Sequence, residues 1–127
     1  MNANRPSFPA ALLREGRSLR IWQENINRSH VAQLDLINKL HPDSYDIIAI
    51  QEPYFDHLRN SRGSRRWISV YPPHHQNPKA PTPRSFMLIN AKLSSNAWEP
   101  LEVPSSDITA IRLTTGNLTL LIYNVYN

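Results

Sequence analysis

Two stretches of this sequence close on side chains that could hold a cation or a phosphate. One is LRIWQEN, residues 19–25, which ends in Asn25; the other is SYDIIAIQEPYF, residues 44–55, in which Glu52 follows an aliphatic run. Ile47, Ile48, Ala49 and Ile50 have the composition of a strand covered on both faces, a context in which an unpaired carboxylate is costly. A carboxylate and a carboxamide at neighbouring strand ends offer hard oxygen ligands. These suit magnesium, which often takes only one or two protein carboxylates and fills its shell with water and phosphate. Glu52 would then be the direct ligand, with Asn25 orienting it or a metal-bound phosphate oxygen. Each has a plainer alternative: Glu52 can open a turn into solvent, and Asn25 can cap a helix.

The two ends converge only if the elements that carry them run the same way. Residues 19–25 alternate enough for a first strand, with Leu19, Ile21 and Gln23 on one side and Trp22 on the other. A helix is expected over 29–41, capped by Asn27 or Ser29, with Val31, Leu34, Ile37 and Leu40 on one face and Leu36 beside them. Pro42 stops it, and a second strand runs from Asp46 to Gln51. A strand, helix, strand unit with one helical crossover places its strands parallel, with their carboxyl ends at one edge of the sheet. Asn25 and Glu52 would share that edge, where ligand sites form in open sheets.

Beyond Pro53 a strand is expected at residues 66–71. Residues 72–83 contain five prolines in twelve, which predicts a long surface connection. Further strands are expected at Ser85 to Asn90, Ala97 to Val103, Asp107 to Leu113 and Leu118 to Tyr126. A turn at Thr115-Gly116-Asn117 joins the last two as a hairpin. Tyr126 could donate its hydroxyl to a phosphate, although tyrosines placed like Tyr123 and Tyr126 more often pack their rings with the hydroxyl at the rim. His74-His75 is a poor ligand pair, since neighbours in an extended segment face opposite ways. None of the five histidines has a positioned partner that marks a general base.

The chain has 127 residues, one domain's worth, and no cysteine, which excludes disulfides, thiolate nucleophiles and sulfur-based zinc sites. No apolar stretch approaches the roughly 20 residues of a membrane span, and the amino terminus lacks the apolar core and cleavage site of a signal peptide. A soluble intracellular protein, nuclear or cytoplasmic, with no membrane partner is the expectation. The net charge of +4 is unevenly spread. Residues 21–56 hold six acids, whereas residues 57–84 carry Arg59, Arg62, Arg65, Arg66, Lys79 and Arg84 with no acid at all. An acidic segment followed by a basic one suits a metal site beside a polyanion-binding loop, or simply a solvated loop.

Taken in order, LRIWQENIN, the amphipathic helix, DIIAIQEPY, RSFMLIN, DITAIRL and LLIYNVYN resemble the amino-terminal half of the endonuclease/exonuclease/phosphatase family. Its apurinic-type endonuclease domains in LINE-type, non-LTR retrotransposons are the most similar. The resemblance covers about residues 19 to 127. It implies an α+β fold, half of a four-layer α/β/β/α sandwich of the DNase I-like kind, with a β-α-β start followed by mostly antiparallel strands. Residues 1–17 would be a flexible leader, and 18–127 the partial domain.

The resemblance further implies magnesium- or manganese-dependent cleavage of phosphodiester or phosphomonoester bonds, with DNA as partner. Asn25 matches the asparagine of the metal-site network, Glu52 the metal-binding glutamate, and Tyr126, in NVYN, the tyrosine that approaches the scissile phosphate. Glu24 departs from the apolar residue usual beside that asparagine. The family's Asp-x-Asn segment and Asp-His pair have no counterpart before Asn127, so the expectation is a truncated domain with little activity alone. Half a sandwich would expose an apolar face and an unpaired edge, to be covered by a homodimer partner or by the complementary half-domain. A different class of function also follows from the residues. Arg59, Arg62, Arg65 and Arg66 with Trp67 could form a non-catalytic nucleic-acid-binding module, the arginines on phosphates and the indole on a base.

Overall fold

The computed structural model describes residues 19–61 and 63–127; residues 1–17, expected as a leader, and Arg62 lie outside them. The expected opening unit is present. Strand β1 (Ile21–Asn25) leads through helix α1 (His30–Lys39) into β2 (Ile47–Gln51). The two strands are parallel, in register from Ile21 opposite Ile47 to Asn25 opposite Gln51. The unit is tied at its base by Asp46, whose fully buried carboxylate accepts from the backbone N–H of Arg20 at 2.8 Å and from its guanidinium at 2.9 Å.

Of the two expected caps, Ser29 is the one used: its hydroxyl accepts the Ala32 N–H at 3.1 Å. The buried face of α1 keeps Leu36, Ile37 and Leu40 of the expected set but not Val31 and Leu34. Val31 is 78% exposed and Leu34 38%, while Gln33, Leu36, Ile37 and Leu40 form the inward stripe. Gln33 takes a core position because its amide donates to the Ser61 hydroxyl at 2.7 Å and accepts the Tyr54 N–H at 2.9 Å. A polar side chain with both ends satisfied can be buried.

Strands β3 (Trp67–Val70) and β4 (Ser85–Asn90) complete the first sheet, in the order β1-β2-β4-β3. β4 runs antiparallel to both its neighbours. Its SFMLIN sequence is buried at every position, as is the IIAIQ of β2, because both faces of this sheet are covered. Ile48, Ile50, Phe86, Leu88 and Trp67 pack against the helix. Ile47, Met87, Ile89 and Val70 pack against Ile111, Leu113, Leu120 and Ile122 of the second sheet. That sheet is antiparallel, in the order β5-β6-β7, built from β5 (Trp98–Leu101), β6 (Ile108–Thr115) and β7 (Leu118–Val125). Pro100, which has no N–H for a ladder, sits in the edge strand β5. Thr115 pairs with Leu118, so the hairpin turns through Gly116 and Asn117, with Gly116 at φ +52°.

The described residues thus form three layers, helix, mixed sheet and antiparallel sheet, an α+β arrangement. The outer face of β7 is half exposed at Leu121, Tyr123 and Val125. No helix among the described residues is long and apolar enough to cross a membrane.

Candidate functional site

The register sets one edge of the molecule. β1 and β2 end there, β4 and β6 begin there, and β7 ends there. Asn25 and Glu52 meet on it, the amide of Asn25 donating to the Glu52 carboxylate at 3.2 Å. The other end of that amide, the Asn25 oxygen, accepts the Asn27 N–H at 2.9 Å, which fixes which way the donor points. The backbone around the pair is held in the left-handed region, with Asn27 at φ +52°, Arg28 at +60° and Glu52 at +51°. The Arg28 N–H donates to the Glu52 carbonyl at 2.8 Å, and the Glu52 N–H to the Arg84 carbonyl at 3.0 Å. Glu52 is thereby lifted out of the strand and aimed along the edge. Left-handed backbone at non-glycine residues costs of order 1 kcal/mol each and gathers where geometry is imposed for another purpose.

Arg84 joins this pair to Tyr126. Its guanidinium lies 4.7 Å from the centre of the Tyr126 ring and forms a two-point ion pair with Asp107, at 2.8 and 3.0 Å. Asp107 in turn accepts the Tyr126 N–H on its backbone carbonyl at 2.8 Å. The hydrogen bonds that Arg84 donates to Asp107 hold its pKa above the ordinary value.

Beneath the edge lies a buried polar layer between the sheets, a feature the sequence reading did not identify. Asn124 is 4% exposed and donates to the carbonyls of Ile50 and Phe86, each at 3.0 Å. It accepts from Gln51, whose carboxamide oxygen accepts from Gln23. The Ser85 hydroxyl bonds that of Thr109 at 2.7 Å and donates to the Asn124 carbonyl at 2.7 Å. These contacts lock the end of β7 onto β2 and β4 directly below Glu52 and Tyr126. The available signal was Asn124 within the apolar run LLIYNV, in phase with the inward Leu120 and Ile122.

The remaining expected residues lie elsewhere. Trp67 is 1% exposed, its indole in the core under the helix, so it presents no face for a base to stack on. Its apolar bulk is what packing selects within the cluster that includes Leu36 and Leu88. Arg59 donates to the carbonyls of His75, Ala80 and Pro81 at 2.9 to 3.2 Å and clasps the proline-rich connection. Arg65 and Arg66 are exposed, but they precede Trp67, which pairs with Asn90 at the far end of β4. They stand roughly 17 Å from the Glu52 edge by strand rise. His74 and His75 form no ligand pair: His75 stacks on Tyr71 at 3.9 Å, and burial, then the Arg59 charge, lower its pKa. Glu24 accepts from the Trp22 indole at 3.1 Å.

Among the described residues no group of three or more histidine, aspartate or glutamate side chains is gathered for a metal ion. Glu52 and Asn25 are donors of the right kind for magnesium or manganese, with a single carboxylate between them.

The same fold is found in a solved endonuclease domain. The endonuclease domain of TRAS1, a telomere-specific non-LTR retrotransposon, superposes with a TM-score of 0.58 at 16% sequence identity. The match covers 86% of this chain and 46% of that one, so the chain spans less than half the length of that structure. At this identity the likeness establishes the fold. No family model and no curated protein matches the sequence.

Proposed function

We propose that this chain carries the Asn25–Glu52 part of a metal-dependent, phosphodiester-cleaving site of the retrotransposon endonuclease type, within the first half of a four-layer sandwich. The observation that supports it most is the 3.2 Å hydrogen bond between Asn25 and Glu52 on the edge that also holds Tyr126. Glu52 would hold the magnesium or manganese ion, which when bound supplies charge stabilisation to a phosphate oxygen. Asn25 keeps the carboxylate from rotating away, and Tyr126 offers a hydroxyl on the same rim. In-line hydrolysis also needs an activated water and help for the leaving group. The described residues include no base positioned for that, so the 127-residue chain is expected to be inactive by itself. DNA is the proposed polyanion, and a second copy or a complementary half-domain is the proposed cover for the outer sheet. The basic-module alternative is weakened by the burial of Trp67 and the commitment of Arg59 to its own loop.

Titration calorimetry with magnesium and manganese, alongside plasmid nicking, tests this reading. We expect weak cation binding that disappears in Glu52→Gln, with no metal-dependent nicking. Cation binding indifferent to Glu52→Gln would overturn the site; nicking lost in that variant would overturn the inactivity.

A further inference from the structure

One residue beyond Glu52 the chain turns into a cleft of about 340 Å³ whose walls include Arg28, Tyr54, Asp56, Arg59 and Thr82. Arg28 is exposed, and no carboxylate among the described residues forms an ion pair with it. Its backbone is nevertheless fixed, by φ +60° and by the hydrogen bond from its N–H to Glu52. Arg59 is held rigidly by three carbonyls. Neutral carbonyls satisfy its N–H groups without cancelling its charge, which still acts on the cleft. Asp56 turns one carboxylate oxygen toward its own loop, accepting from the N–H groups of Leu58 and Asn60 at 2.9 and 3.0 Å. Tyr54 is stacked on His30 at 4.3 Å, so that wall is stiff. A preformed cleft with two cationic walls against the one carboxylate of Asp56, next to the strand end that carries Glu52, suits a phosphate displaced by one position from Glu52.

We propose that this cleft is a second phosphate position. It takes the backbone phosphate adjacent to the one at Glu52 in a nucleic-acid strand laid along the edge, with Arg28 as the direct contact. The assignment rests on the endonuclease reading above and adds to it a direction: the strand runs from the Asn25–Glu52 pair toward the proline-rich connection, away from Arg65 and Arg66.

The test is fluorescence anisotropy of a short labelled DNA duplex in EDTA over a salt series, with far-UV melting to confirm that each variant is folded. Arg28→Gln should raise Kd about tenfold and reduce the salt slope by about one. Arg28→Lys should keep the slope and recover most of the affinity. The paired change Arg65→Gln with Arg66→Gln, at the far end of the sheet, should weaken binding less than Arg28→Gln alone. Binding by Arg28→Gln equal to that of the unmodified protein overturns the proposal, as does an equal or larger loss in the Arg65 and Arg66 variant. A 5′-mononucleotide that binds as tightly as the duplex overturns the assignment to a strand. Because EDTA removes the cation, failure of metal binding at Glu52 leaves these outcomes unaffected. Absence of any duplex binding by the unmodified protein in EDTA overturns this proposal alone, because the endonuclease reading rests on cation binding at Glu52.

Discussion

Glu52 combines two features that are unfavourable when considered separately: a carboxylate at the end of a strand buried on both faces, and a left-handed backbone at a residue with a Cβ. The first was visible in the sequence, because a charged residue closing an aliphatic run needs a reason. The second was not, since no glycine or asparagine marks position 52. Together they tie the carboxylate to a fixed direction, with Arg28 and Arg84 gripping the peptide groups on either side. Such strain is kept where it serves a site. Glycine at φ +51° carries no Cβ penalty, whereas alanine does. Glu52→Gly is therefore expected to be more stable than Glu52→Ala by about 1 kcal/mol, although both lack the carboxylate. Denaturant titration of the two variants measures this; equal midpoints would mean that the left-handed turn is not strained.

The elements were easier to read than their faces. Parallel β1 and β2, the break at Pro42, the unbroken β4 and the final hairpin all follow from local chemistry: a single helical crossover, proline, continuous aliphatic runs and a glycine turn. Which side of α1 is buried does not. The aliphatic count alone favours Val31 and Leu34, but the winning stripe contains Gln33, whose partners Tyr54 and Ser61 come from a loop far along the chain. The polar layer under the site was hidden for the same reason, since Asn124 gains its meaning only when β7 is laid against β2 and β4. Arg84 counted only as charge until the fold stacked it on Tyr126. The corrected helix face makes a direct prediction. Leu36→Ala should cost about 2–4 kcal/mol through lost burial and a cavity, while Val31→Ala, at a position 78% exposed, should be within about 0.5 kcal/mol of the unmodified protein. Thermal or urea melts of the two variants would show the reverse order if Val31 and Leu34 faced the core.

For the whole molecule, the unsatisfied part is one flank. β1 is one edge of the first sheet and β7 one edge of the second, and both open onto the same trough. That trough has a volume of about 470 Å³, and its walls include Ile21, Ala49, Met87, Ile122 and Val125. Ile21, Leu121, Tyr123 and Val125 around it are 43 to 52% exposed. Among the described residues two unpaired strand edges flank an apolar gap and form a template for pairing with another chain, and the edges lack the lysines that would discourage it. A structure with the same fold has more than as much chain again. Exposed strand edges favour a cover made of strands over a small ligand. We expect the purified protein to associate with itself in a concentration-dependent way in sedimentation velocity. Replacing Leu121 and Val125 by lysine should shift it toward monomer and raise its solubility, because each lysine places an uncompensated charge on the edge that would pair. The β7 side chains altered point away from the Asn124 layer, so the cooperative melt should be retained. A monomer at high concentration with the original side chains, insensitive to both lysines, would mean that the flank is closed in solution by the chain itself.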